Sequence, residues 1–466
     1  MKKVLLLIIV TANAFVYSQK SRQENQLDSI FTFMYNQNQF NGTVLISDKG
    51  KIIYNKGFGF SNEVKKTKNN STTIYELASC SKQFTAAAIV LLKRDGKLDY
   101  KDKISDYLPE LEFWNNVTIL DLIRHTSGIP EYLIDLSKNI DDNTIATNQD
   151  LINYYAVKKD SLQFLPGQKH RYINTNYALL ATIIERVSGI EYSRFLEKNI
   201  FKPLKMKNTF VYNRRQSPKK IKNYAIGYVW AKNTFDKVIY EAPGYDDKMV
   251  YKLDGIVGTA KVNSTVEDLY KWINTLKNNT FFSPDEFDLM TSVTKTTEGQ
   301  NINYGFGLDL SKGENKFSFG HTGSWDGYST FVYHNMVKDR TIIVLQNFKM
   351  GTYPYANINE ILDYKPLSIE YKRKINSPES EIKKYIGTYI DEKDEKQFIT
   401  YLDGYLVHNS SRVAWDMRFF PVDENEFQAV RQGGTDGVLK FIKQEDGKMK
   451  LEMLQYGSLM GSGIRK

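Results

Sequence analysis

Ser79 and Lys82 stand three residues apart at the start of SCSKQFTAAAIVLLKRDGKL (79–98). On a helix that spacing puts both side chains on one face, roughly 5–6 Å apart at Cβ. A serine hydroxyl at the positive end of a buried helix, with an amine beside it, is a candidate activated nucleophile for acyl transfer. The pattern alone is cheap, because Ser-x-x-Lys recurs at Ser217/Lys220, Ser292/Lys295 and Ser380/Lys383. Ser217 precedes a proline in a basic stretch, Ser292 sits among threonines and lysines, and Ser380 lies in a charged segment. Only Ser79 opens an apolar run, Phe84 to Leu92, that a central buried helix requires. Its neighbour Cys80 is the single cysteine of the chain and reads as a core-packed thiol.

The elements that must position this pair follow from periodicity and turn signals. Residues 23–38 read as an amphipathic helix with Leu27, Ile30, Phe31 and Met34 on one face. FNGTVLISDKGKIIYNKGFGFSN (40–62) reads as a hairpin turning at Asp48-Lys49-Gly50. Further helices are expected at 119–123, at 177–188 closed by Gly189, and at 264–276, where Ser264 and Glu267 suggest a capping box. Residues 317–348 hold three strand-like runs. The whole predicts an α+β domain in which the early hairpin and the late strands share a sheet. Residues 366–380 read as a linker, and 381–466 as a small antiparallel β domain with turns at Asp403-Gly404, Asp423-Glu424-Asn425, Gly433-Gly434 and Asp446-Gly447.

The chain has 466 residues, of which 41% are hydrophobic and 25% charged, with a formal net charge of +9. These are ordinary globular values. Residues 1–18, with Lys2-Lys3 before an apolar run, read as a cleaved signal peptide too short to be a stable membrane span, so the protein is expected to be exported, periplasmic or secreted. Their removal would leave +7. The basic surplus in 62–70 and 214–222 lacks interleaved aromatics, which argues against nucleic acid as a partner. His170, His334 and His408 have no metal-ligand spacing, and no Gly-x-Ser-x-Gly elbow occurs, so neither a zinc site nor an α/β-hydrolase route is expected. His125 is expected to stabilise a turn beside the site.

Ser-x-x-Lys belongs with Ser-Asp-Asn and Lys-Thr-Gly in the set used by serine β-lactamases and penicillin-binding proteins. Tyr172-Ile173-Asn174, just before the apolar helix at 177–188, and His321-Thr322-Gly323, on a late strand, stand in the places of the other two. Tyr-x-Asn also occurs at Tyr333 and Tyr355, but PGQKHRYINTNYALLATIIERVSG (166–189) carries the Pro-Gly turn and following helix of the second motif. With VTILDLIRHTSGIPEY, FKPLKMKNTF, GTAKVNSTVEDLYKW and YGFGLDL in matching order, residues 19–365 resemble the serine β-lactamase-related hydrolases: class C β-lactamases, DD-peptidases, D-aminopeptidases and family VIII carboxylesterases. Residues 381–466 resemble the lipocalin-like domain appended to exported members.

The resemblance implies a β-lactamase/transpeptidase-like fold and no cofactor or metal. Ser79 would be the nucleophile, with Lys82 and Tyr172 bracketing its hydroxyl, and either could be the base. Asn174, His321, Thr322 and Gly323 would bind substrate, and the backbone N–H groups of Ser79 and Ser324 would form the oxyanion hole. His321 departs from the lysine of β-lactamases, which shifts the expected substrate towards D-amino-acid peptides of cell-wall type or small esters and amides. Two alternatives stand beside this reading: a non-catalytic penicillin- or muropeptide-binding protein, and a β-lactamase. Trp325 and Tyr328 would either line the pocket or pack beneath a loop.

Overall fold

The computed structural model describes residues 22–231, 236–242, 248–313, 316–349, 353–368, 372–410, 417–430, 437–455 and 458–466. The segment read as a signal peptide and the Gly433-Gly434 turn lie outside them. The chain divides into two compact units. Of the described residues, one comprises those within 42–228 and 239–349; the other comprises those within 22–41, 229–238 and 353–466.

In the first unit, β1 (Gly42–Asp48) and β2 (Lys51–Phe58) form the expected hairpin. Lys49 and Gly50 both have positive φ, 49° and 73°, as a two-residue turn of this handedness requires. Four late strands, β3 (Asp309–Gly313), β4 (Lys316–Trp325), β5 (Tyr328–Asn335) and β6 (Arg340–Gln346), join it in the order β3-β4-β5-β6-β1-β2. The joint is β1 against β6, antiparallel, with Ile46 opposite Ile342. The predicted sharing of one sheet by early and late strands is what the chain does.

Helix α1 (Lys82–Arg94) is buried almost throughout, as its apolar run predicts. It packs against α2 (Asn174–Ser188), which Gly189 ends in a left-handed conformation at φ 68°. The helix at 264–276 begins later than expected. Ser264 completes a short strand, Val262–Ser264, opposite Tyr75. Thr265 caps α3 (Val266–Lys277) instead, its side chain accepting from the Asp268 N–H. Strand pairing claims Ser264 first, a contact with residues far away in sequence that no local capping pattern reveals.

In the second unit, residues 22–36 form a helix that buries Leu27, Ile30, Phe31 and Met34. Eight strands then close a barrel: β7 (Gly387–Ile390), β8 (Lys396–Leu402), β9 (Tyr405–Ser410), β10 (Met417–Pro421), β11 (Glu426–Val430), β12 (Val438–Lys443), β13 (Met449–Gln455) and β14 (Ser458–Arg465). Closure comes from β7 pairing with β14, Tyr389 opposite Arg465. Alternate residues point inwards, and Tyr389, Ile399, Leu406, Phe419, Phe427, Leu439, Phe441 and Leu451 pack together as its core.

Candidate active site

Ser79 lies on a short 3₁₀ turn, Ala78–Ser81, that leads into α1. The pair expected on one α-helical face is thus split between the turn and the first residue of the helix. Ala78 has φ 49°, a left-handed conformation costing an L-residue about 1–2 kcal/mol. What holds it there is strand β4–β5. Cys80 Sγ donates to the His321 carbonyl at 3.1 Å, and Thr330 Oγ1 donates to the Leu77 carbonyl at 2.8 Å. Gly323 faces the same turn so closely that a Cβ there would sit 2.3 Å from the Leu77 oxygen. A glycine is needed at this point because the backbone itself is the packing surface.

Lys82 is fully buried. Its Nζ donates to Thr259 Oγ1 at 2.7 Å, Asn174 Oδ1 at 2.9 Å, the Thr259 carbonyl at 3.0 Å and Ser79 Oγ at 3.1 Å. Burial pushes its pKa down to about 7, against the pull of the Glu131 carboxylate and other nearby acidic groups. A protonated amine has three N–H groups for these four oxygens; a neutral one turns its lone pair to the Ser79 hydroxyl.

Asn174 is the first residue of α2, and Glu131 fixes it. One carboxylate oxygen, Oε2, accepts from the Asn174 backbone N–H at 2.8 Å and from its Nδ2 at 2.9 Å. That commits the amide oxygen to Lys82 and to Thr259 Oγ1, 2.7 Å away. A carboxylate at a helix N-terminus is favoured by the unpaired N–H groups there. Glu131 and Thr259 were not among the residues expected from sequence. The only hint was that both fall in segments, 117–132 and 258–272, whose order fits the family pattern.

Tyr172 is 38% exposed, yet its ring lies against the site, with Lys82 Nζ 4.9 Å from its centroid. Burial of its hydroxyl holds its pKa well above the ordinary value, and the neighbouring Ser79 pulls the other way. Behind it His125, at φ 58°, packs against the Tyr172 ring with the centroids 4.4 Å apart and the planes tilted by 39°. Its Nδ1 accepts the Ile173 N–H at 3.2 Å and pairs with Asn176 Nδ2 at 3.3 Å. His125 is a turn residue that clamps the Tyr172–Asn174 segment.

Along β4, His321 and Gly323 are buried while Thr322 and Ser324 are exposed, the period of two that a strand imposes. His321 Nε2 meets the Tyr304 hydroxyl at 2.9 Å, and Nδ1 meets the Thr322 carbonyl. Burial holds its pKa below the ordinary imidazole value, opposed by Asp309. The imidazole is therefore neutral and already bonded on both nitrogens. Ser79, Asn174, Thr259, Ser324 and Trp325 border one cavity of about 90 Å³. Tyr328, by contrast, is fully buried and donates to the Ala225 carbonyl at 2.7 Å. His334 and His408 lie elsewhere, against Thr341 and Gln397.

Beneath the cavity runs a buried ionic cluster that sequence reading missed. Lys261 Nζ lies 2.8 Å from Asp254 Oδ1 and 3.3 Å from Glu76 Oε2. Arg215 bridges Asp254 and Asp326, and Arg214 reaches Asp326 and Glu241. The cluster ties together residues three before Ser79, two after Thr259 and two after Ser324. Burial raises the Glu76 pKa to about 7, opposed by Lys261.

This geometry can be set beside known proteins. Residues 27–362 match the family model described as Beta-lactamase. The chain belongs to the beta-lactamase family. Within and around that family, it is 33% identical over 446 residues to penicillin-binding protein 4* of Bacillus subtilis (strain 168), covering 92% of this chain and 98% of that one. The octameric penicillin-binding protein homologue from Pyrococcus abyssi has a similar structure, with a TM-score of 0.64, 23% identity, and coverage of 95% and 99% of the two chains. D-amino acid amidase from Ochrobactrum anthropi SV3, complexed with L-phenylalanine amide, gives a TM-score of 0.56 at 22% identity over 74% of this chain and 97% of that one. At these identities the two structures support the shared fold of the family.

Proposed function

We propose that this family member is an exported serine hydrolase working through an acyl-enzyme on Ser79, on D-amino-acid peptides of cell-wall type or small amides and esters. The observation that carries the reading is Lys82: a buried amine with its pKa pushed down to about 7, 3.1 Å from Ser79 Oγ. Neutral Lys82 takes the hydroxyl proton as Oγ attacks the carbonyl carbon. The negative charge on the carbonyl oxygen is met by the backbone N–H groups of Ser79 and Ser324, where each donor is typically worth ~10²–10³ in rate. The Lys82 ammonium returns the proton to the departing nitrogen or oxygen, with Tyr172 between them as a relay. Water then attacks the ester, its proton passing to Lys82 and from there to the departing Ser79 Oγ, which restores both the serine hydroxyl and the neutral amine. Tyr172 is the weaker candidate for base because its pKa is held high.

Intact-mass measurement after incubation with a fluorophosphonate or a penicillin should show one adduct on Ser79, and an unmodified protein would count decisively against the proposal. Ser79→Ala should abolish turnover of p-nitrophenyl esters and D-alanyl peptides while changing stability by less than about 1 kcal/mol. The name of the Bacillus relative favours a second reading, a penicillin binder that stays acylated. A stable penicilloyl adduct with no turnover of any ester or peptide would select it. Because His321 is neutral, nitrocefin hydrolysis is expected no faster than in the Ser79→Ala control.

A further inference from the structure

We propose that a second cleft, on the far side of a wall it shares with the Ser79 cavity, is a docking site for an uncharged saccharide. No residue lines both cavities, so this site stands independently of the acyl-enzyme chemistry.

The cleft encloses about 670 Å³, within the roughly 300–1,000 Å³ typical of ligand sites, and lies wholly in the first unit. Its shared wall is residues 253–261. Leu253, Ile256 and Thr259 border the Ser79 cavity, whereas Gly255 and Val257 border the cleft. The wall is held in place from the cleft side. Asn148, buried in the lining, accepts the Val257 N–H at 2.8 Å and donates to the Ala178 and Val257 carbonyls at 2.8 and 3.2 Å. Behind Gly255 the Ala146 carbonyl lies so close that a Cβ would sit 2.5 Å from its oxygen. Tyr192, also buried in the lining, has its hydroxyl 2.6 Å from Thr85 Oγ1 on α1. These groups build the cleft and are spent in doing so.

What the cleft would recognise follows from the groups left open. The Gln216 amide and the Ser217 hydroxyl, both exposed, have no hydrogen-bond partner among the described residues. Gln216 Nε2 lies over the wall, 3.0 Å from where a Cβ on Gly255 would stand. Asn213 spends its Nδ2 on the Asp254 carbonyl and keeps its Oδ1. Glu185 and Glu191 each have one carboxylate oxygen taken, by the Tyr192 N–H and the Ser193 hydroxyl, and one open. Between these polar groups lie the apolar surfaces of Phe210, Val211 and Val257. A sugar ring matches this set, with hydroxyls at its edge for donors and acceptors alike and C–H groups on its faces. Its hydroxyls make charge-assisted bonds to the open carboxylate oxygens. The charges disfavour other ligands. Of the two cations in the lining, Arg194 pairs with Glu197 at 3.0 Å, and the Lys219 ammonium lies 5.3 and 5.0 Å from the Phe210 and Tyr212 ring centroids. An anion would thus meet two engaged cations and two open carboxylates. An amine would answer the carboxylates but take the Gln216 and Ser217 donors out of water without partners, which costs free energy.

The test is isothermal titration calorimetry on the full chain with cellotriose, maltotriose and tri-N-acetylchitotriose, and with spermidine and inorganic phosphate as charged probes. At least one trisaccharide is expected to bind, with equal affinity in the wild type and in Ser79→Ala. Replacing Gln216→Ala and Ser217→Ala together should weaken that binding on the order of tenfold. Both side chains are exposed, so this double variant should keep the wild-type thermal midpoint. Failure of all three sugars to bind overturns the inference. So does sugar binding that the double variant leaves unchanged, or that Ser79→Ala alters, since either places the sugar elsewhere. Spermidine or phosphate binding more tightly than every sugar, and weakened by the same double variant, assigns the cleft to a charged ligand and overturns the saccharide. Sugar binding in a protein that turns over no ester or peptide would sink the acyl-enzyme reading alone.

Discussion

At the scale of single residues, the lysine is the decisive group, and its behaviour can be read in two independent ways. In catalysis its neutral form is the active one, so kcat/KM should rise with pH through about 7 and level off above it. Glu131 favours the charged form of Lys82. Glu131→Gln should therefore move that limb to lower pH, by roughly half to one unit; a shift upwards would refute the placement of its charge. In stability the sign is also fixed. An unfolded lysine titrates near 10.4, whereas folded Lys82 loses its proton near 7. Between these values the unfolded chain holds more protons, so the native protein gains stability as pH rises. Relative to Lys82→Met, the wild type should gain up to about 1.4 kcal/mol per pH unit over that window, measured by denaturant titration at pH 7, 8 and 9.

At the scale of elements, the reactive turn is made by what lies beneath it. Gly323→Ala would drive a Cβ into the Leu77 carbonyl, and should cost about 1–3 kcal/mol while displacing Ser79 and the oxyanion donors together. Crystallography and ester turnover of the same variant would show whether stability and activity fall jointly. The α1 helix, the Tyr172–Asn174 segment and strand β4 were legible because each is a local pattern: an apolar run, a turn before a helix, an alternating strand. Glu131 and Thr259 were not, because their meaning is set by partners 43 and 177 residues away. Lys261 was hidden for the same reason. A lysine in an otherwise uncharged stretch signals a buried pair only once Glu76 and Asp254 are seen around it. Breaking that set should be severe: Asp326→Asn is expected to cost about 3–5 kcal/mol, since it leaves Arg215 buried with less compensation.

At the scale of the whole molecule, each unit carries its own hydrophobic core, one around α1 and α2 and one inside the barrel. Calorimetry should then depart from a single two-state transition, and acylation of Ser79 should raise only the transition of the larger unit. A single transition shifted as a whole would contradict this. The barrel's interior is filled by its own aromatic and aliphatic side chains, so its likeness to carrier barrels is one of shape; it was legible as strands and turns, whereas its closure required the pairing of β7 with β14. Finally, Cys80 is the chain's one thiol, fully buried beneath β4 with its pKa pushed up to about 12 by burial. It is chemically silent while the turn bearing Ser79 stays docked. Any cysteine engineered on the surface would consequently be labelled alone, and the rate at which Cys80 itself yields to a thiol reagent becomes a clock for how often the catalytic turn comes away from its strand.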